Sequence, residues 1–142
     1  MRLVVDTNIM VGAMLQQGGA CRAIIRLCLL GELVPLIGVA LFSEMEDVLS
    51  RPKLFSVSPL DADERSELFA AFLSTSQWVQ IYYSWRPNLR DEADNHIVDL
   101  AVAGGADYII TQNIRDFDKM ELKFPQLKHK TAAEFLGIWR KE

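Results

Sequence analysis

The chain has 142 residues, half of them hydrophobic and 24% charged, with a formal net charge of -4 at pH 7 and a pI near 5.2. That length suits a single domain over 1–142, and the apolar content excludes a disordered chain. The acidic balance excludes a protein that grips nucleic acid through a broad basic surface, but it leaves room for one whose acids surround a divalent cation.

Leu3 to Val5 is a short β-branched run that predicts a buried parallel strand, ended by a loop at Asp6-Thr7-Asn8. ACRAIIRLCLLGEL then has helical spacing, with Gly31 as its stop. Cys21 and Cys28 share a face of that helix and are expected in the core, since neither their spacing nor their count suits zinc or a disulfide framework. Leu33 to Ile37 is the next strand, demoted toward an edge or bulge by Pro35. Ala40 to Ser50 predicts a helix with Leu41, Met45, Val48 and Leu49 inward.

After a loop at 53–59, Asp61 to Ser74 reads as an amphipathic helix and Trp78 to Tyr83 as a strand. A further helix is expected from about Glu92 to Ala103, stopped by Gly104-Gly105, and Ala106 to Thr111 is a central strand. An acidic turn at Asn113 to Asp118, a weak strand near Leu127 to Lys130 and a helix from Thr131 to about Trp139 complete the chain, with Thr131 and Glu134 in a capping-box pattern. Strands alternating with helices predict an α/β domain with a mainly parallel sheet covered on both faces. The opening residues lack a signal-peptide layout and no apolar run reaches the roughly 18 residues of a membrane span, so a cytoplasmic location is expected, with no membrane contact.

In such sheets the site lies beyond the carboxyl ends of the strands, near the switch point. Asp6, the turn at Asn113 to Asp118, and the helices carrying Glu44 and Asp94 all meet on that side. Carboxylates gathered there repel one another and need protons or a bound ion, and all-oxygen ligands suit Mg²⁺ or Mn²⁺ over zinc. Such ions promote in-line displacement at a phosphodiester, which points to a hydrolase.

Each acid also has a plainer reading. Asp6 could start a turn, Glu44 could be a solvated helix acid, and Asp94 sits in a first helical turn, where the dipole favours an acid anyway. Asp91 reads as an N-cap, and Asp99, roughly 140° round the helix from Asp94, as a supporting or solvated residue. His96 reads as a surface residue, and His129 has no evident partner. Arg115, Lys119, Lys123, Lys128, Lys130, Arg140 and Lys141 crowd the end of the chain, either as a phosphate-facing edge or as scattered solvated charge.

DTN after the first strand, the Ser43-Glu44 pair, RDEADNHIVDLAVAGGADYIIT and the following NIRDF together resemble PIN domains, and most of all the VapC-like toxins of toxin–antitoxin systems. The similarity runs over essentially the whole chain. It implies a three-layer α/β/α fold with a parallel sheet of about five strands. It further implies a Mg²⁺- or Mn²⁺-dependent endoribonuclease whose RNA products carry a 5′-phosphate, a homodimer, and a small antitoxin partner. The acids carried over are Asp6, Glu44 and Asp94. Asn113 stands where many members have aspartate, so Asp116 is the candidate fourth carboxylate, with Asn113 as a neutral ligand. Thr7, Asn8 and Ser43 sit beside these ligands and would orient them, with Asp91 and Asp99 in support. The Leu41-Phe42 pair suits an interface or the core. Asn113 keeps open a catalytically weakened RNA- or protein-binding module, and a housekeeping RNA-processing nuclease without antitoxin shares the same chemistry.

Overall fold

The computed structural model describes residues 1–16, 19–82, 95–119, 124 and 126–141. In chain order these form β1 (Arg2–Val5), α1 (Thr7–Leu15), α2 (Ala20–Leu29), β2 (Val34–Ile37), α3 (Val39–Leu49), a 3-10 turn (Pro52–Phe55) and α4 (Ala62–Thr75). They continue with β3 (Gln77–Trp78), α5 (Asn95–Gly104), β4 (Tyr108–Ile110), α6 (Ile114–Asp118), β5 (Lys128–Lys130) and α7 (Ala132–Lys141).

The five strands pair in parallel in the order β3-β2-β1-β4-β5. Leu3, Val4 and Val5 on β1 and Tyr108, Ile109 and Ile110 on β4 are all buried, as unbroken apolar strands covered on both faces must be. Helices form the outer layers of an α/β/α sandwich: α5 lies against β1, β2 and β4, while α2 packs among α1, α4 and α7. From β1 the chain winds outward through β2 to β3, then returns to β4 and β5 on the other side. The switch point therefore falls between β1 and β4, whose carboxyl ends lead into Asp6 and Thr111.

Glycines end two helices as their positions predict. Gly31 (φ 78°) and Gly105 (φ 64°) take left-handed backbone, which costs glycine little. Around them Gly31 N–H reaches Cys28 O and Glu32 N–H reaches Leu27 O, while Gly105 N–H reaches Val102 O and Ala106 N–H reaches Ala101 O. Both are Schellman closures. Thr131 and Glu134 exchange side-chain and backbone bonds at 3.0 and 3.2 Å, the expected capping box, and Asp61 with Glu64 forms a second. At the far end of α5 the Arg2 guanidinium donates twice to Gly104 O (2.9 and 2.6 Å) and once to Gln77 Oε1 (2.8 Å), tying this helix to the sheet.

Three local expectations need correction. The DTN segment is not a loop: Asp6 is the N-cap of α1 and Thr7 its first residue. Ile9, Met10, Ala13 and Met14 are all buried, so this helix lacks the polar face that makes helical period legible. Pro35 lies in β2, between β1 and β3, and not at an edge. Val34 turns its N–H to Met1 O on the β1 side, which leaves the proline nitrogen facing β3, and β3 begins only opposite Leu36. No ladder bond is lost. The Trp78 to Tyr83 strand is reduced to Gln77–Trp78, because β2 ends at Ile37 and offers no partner beyond it; Tyr83 lies outside the described residues.

Cys28 is buried and Cys21 half-buried, both as free thiols. Burial pushes the Cys28 thiol up to about 12, which makes it an inert core group.

Candidate active site at the β1–β4 switch point

Asp6 is the centre of the site. Its amide N–H donates to Ile110 O at 2.9 Å, so the end of β1 is fastened to the end of β4. The residue is only 4% exposed. Oδ1 accepts from Thr7 N–H at 2.8 Å, and Oδ2 accepts from the Thr111 hydroxyl at 2.7 Å and from Asn8 Nδ2 at 3.3 Å. The Thr111 hydroxyl also accepts from Asn113 N–H at 3.0 Å, and Asn8 Oδ1 accepts from Gln112 N–H at 3.2 Å. The start of α1 and the 111–113 segment are thereby tied together. Thr111 was legible only as the end of a strand; its role comes from the parallel register of β1 and β4, which no local pattern shows.

Burial is the main reason the Asp6 carboxyl titrates above the ordinary aspartate range, and the Thr111 hydrogen bond only partly opposes it. The negative charge of Glu44 raises it further.

Glu44 projects from α3 with its side chain 31% exposed, and its Oε2 lies 2.7 Å from His96 Nε2 on α5. This hydrogen bond is the leading cause that holds Glu44 below its ordinary pKa, against the opposing effect of partial burial. The Thr7 hydroxyl pulls in the same direction more weakly, from outside hydrogen-bonding geometry.

His96 is therefore not a surface residue. Every position from Asn95 to Ala101 is buried, so α5 has no solvent face on its first two turns for the helical period to reveal. The same burial removes the solvated alternative for Asp99, which lines a cleft with His96, Val39, Ala40 and Trp78. His129 also has a partner, Asp118 Oδ1 at 2.6 Å, at the outer side of β5.

The remaining candidates are placed as follows. Asn113 occupies the N-cap position of α6 without a side-chain capping bond. Asp116 lies in the first turn of α6, with Oδ2 buried and unbonded among the described residues. Ser43 precedes Glu44 on α3 and is exposed. Asp91 and Asp94 lie outside the described residues.

Among the described residues, no three His, Cys, Asp or Glu side chains gather closely enough to hold a metal ion by themselves. The donor chemistry nonetheless fits a hard cation. Glu44 raises the pKa of the deeply buried Asp6 carboxyl, and beside them Thr7 Oγ1 and His96 Nδ1 are buried without hydrogen-bond partners among the described residues, as is Asp116 Oδ2 on α6. Buried polar atoms left this way call for a ligand or ordered water. Oxygen-rich sets of this kind suit Mg²⁺ or Mn²⁺.

No described helix is long and apolar enough to cross a membrane. No curated protein matches the chain. Among solved structures, VapBC2 from Rickettsia felis bound to a DNA fragment from their promoter is similar in fold, with a TM-score of 0.60 and 17% identity over 92% of this chain and 98% of that one. A family model, the PIN domain, matches residues 2–115, most of the chain and every element from β1 through β4. The chain belongs to the PIN domain family.

Proposed function

We propose that this protein is a Mg²⁺- or Mn²⁺-dependent endoribonuclease and the toxin of a toxin–antitoxin pair. The observation that carries the reading is the meeting of Asp6 and Glu44 at the β1–β4 switch point, two mutually repelling carboxylates in a PIN domain. Asp6, Glu44, Asp94 and Asp116 would hold the cation, with Asn113 as a neutral oxygen ligand. When bound, the cation supplies positive charge to the scissile phosphodiester and acidifies water for attack. Water adds to phosphorus and the bond to the 3′ oxygen breaks, leaving a 5′-phosphate and a 3′-hydroxyl.

The chain's own residues do the positioning. Thr111, Asn8 and the Thr7 amide fix the Asp6 carboxylate in one rotamer, and His96 fixes Glu44.

The antitoxin reading rests on the VapC-like sequence pattern and on the fold likeness to VapBC2, and the homodimer reading on the sequence pattern alone. Leu41 is core, so of the Leu41-Phe42 pair only half-buried Phe42 remains for an interface. Light scattering of the purified chain, alone and with the product of an adjacent small gene, tests both.

Purified protein is expected to cut single-stranded RNA with Mn²⁺ or Mg²⁺, to stop in EDTA, and to lose cleavage in Asp6→Asn and Glu44→Gln. Cleavage unchanged in both variants would rule the reading out. A second reading, a PIN-like RNA-binding module with weak catalysis, is favoured by the uncharged Asn113. It predicts intact RNA affinity with no Mn²⁺ binding near millimolar concentration.

A further inference from the structure

Resting on the reading that the site cuts RNA, we propose that the cleft between α2 and α7 is an exosite for the phosphodiester backbone of that same RNA. This cleft, about 410 Å³, is lined by Arg22, Arg26 and Arg140, with Trp139 and Gly19 beside them, and by no carboxylate. In a chain of net charge -4, three guanidiniums around one cleft reverse the local field.

None of the three arginines is ion-paired with a described residue. Glu64 and Glu67 line the adjoining cleft, which Arg22 and Arg26 also border, yet they make no bridge to either. Arg22 is pinned by a 2.8 Å bond from its Nε to Ala13 O, while its Nη2 is buried without a partner. Arg22 is thus held in place at the base of the cleft, and the exposed guanidiniums of Arg26 and Arg140 are the ones that a phosphate oxygen can reach. Gly19, the N-cap of α2, provides no side-chain cap, so the first-turn amides add their partial positive charge to the same cleft.

Trp139 distinguishes nucleic acid from an acidic peptide as the occupant. Its ring stacks on Phe135 (centroids 6.3 Å apart, interplanar angle 21°) and is half-buried beside Arg140, which supplies a fixed aromatic surface for a base next to a charge for its phosphate.

One contact ties α2, which lines the cleft, to the loop of the site. Gln112 follows Thr111, gives its backbone N–H to Asn8, and reaches the Cys21 thiol with Nε2 at 3.6 Å. Cys21 precedes Arg22 on α2, and from Cys21 to Arg26 the helix advances about 8 Å. In the proposed path a strand leaving the carboxylates passes Gln112 and runs along α2 to Arg26 and Arg140. The crowding of basic residues at the chain end thus resolves in part: Arg140 faces phosphate.

The test uses full-length protein carrying Asp6→Asn, so that RNA is bound without being cut, and fluorescence anisotropy with a single-stranded RNA of about 12 nucleotides across a salt series. Arg26→Glu with Arg140→Glu is expected to weaken binding at least ~10-fold and to flatten the slope of log K against log salt by about 1.4, two phosphate contacts' worth for a single strand. The neutral pair Arg26→Gln with Arg140→Gln should flatten the slope similarly, and Lys53→Glu, away from the cleft, should leave both quantities unchanged. RNA affinity within about twofold of the parent in the arginine variants, or arginine-dependent binding of a poly-glutamate peptide with none of RNA, overturns the proposal. Cleavage by the unmutated chain is read separately in Mn²⁺. Its absence beside arginine-dependent RNA binding supports the exosite and removes only the catalytic reading.

Discussion

His96 Nε2 on α5 lies 2.7 Å from Glu44 Oε2 on α3, a bond that spans two helices and fixes a carboxylate beside Asp6. This pairing holds Glu44 below its ordinary pKa. A lowered carboxylate contributes stability that is present above its unfolded pKa and is lost as pH falls through the folded one. His96→Ala should remove that contribution, flattening the acid side of the stability profile and costing about 1–3 kcal/mol near neutral pH, as for a charged hydrogen bond whose partner is left partly buried. Urea unfolding across the acid range checks this. Nuclease activity should fall as well, with His96→Gln recovering part of it, because glutamine can still donate to Glu44.

Asp6 should behave in the opposite way. Its raised pKa means that the ionised form is disfavoured by folding, so its contribution is fully present below the unfolded pKa and is lost as pH rises through the folded one. Asp6→Asn removes the buried charge and keeps an oxygen for the Thr111 hydroxyl, at the cost of turning an amide NH2 toward the Thr7 N–H. These effects oppose each other, so the variant is expected within about 1 kcal/mol of the parent at neutral pH without metal and to compare less favourably toward acid, where the parent's carboxyl is neutral as well, while activity is abolished. Paired denaturation and cleavage assays show whether the two properties separate.

Thr111 joins both halves of the site. Thr111→Val keeps the shape but removes the donor to Asp6 and the acceptor for Asn113 N–H, and should cost about 1–3 kcal/mol along with most of the activity. Thr111→Ser should keep both bonds and most of the activity. Equal losses in the two variants would assign Thr111 a packing role instead.

Gly12 sets the spacing between α1, which starts at the site, and α2. A Cβ there would lie 2.8 Å from Cys21 Sγ. Gly12→Ala is therefore expected to destabilise by about 1–3 kcal/mol through overpacking, and Cys21→Ala in the same chain should restore much of the loss. A double-mutant cycle on thermal unfolding measures the coupling.

The frame of the protein was legible in sequence because it is written locally. Apolar strands at Leu3 to Val5 and Tyr108 to Ile110, glycines at 31 and 105, and the Thr131–Glu134 box each signal themselves through period or cap. Asp6 and Glu44 were legible because acids beyond a strand end or in a PIN-like order need a reason. What stayed hidden depends on partners distant in sequence. His96 looked solvated because a helix buried all round has no polar stripe, and α1 went unseen for the same reason. Thr111 acquired its role only from the register Val5–Ile110, and Pro35 its tolerance only from the place where β3 begins.

The most direct test of the central claim is a crystal structure of the protein grown with Mn²⁺ and phased on its anomalous signal. The account predicts an ion at the β1–β4 switch point, bound by the Asp6 carboxylate with Glu44 directly or through water, and none there in Asp6→Asn. Crystals in saturating Mn²⁺ with no peak at Asp6, or an ion held only by other residues, would contradict it.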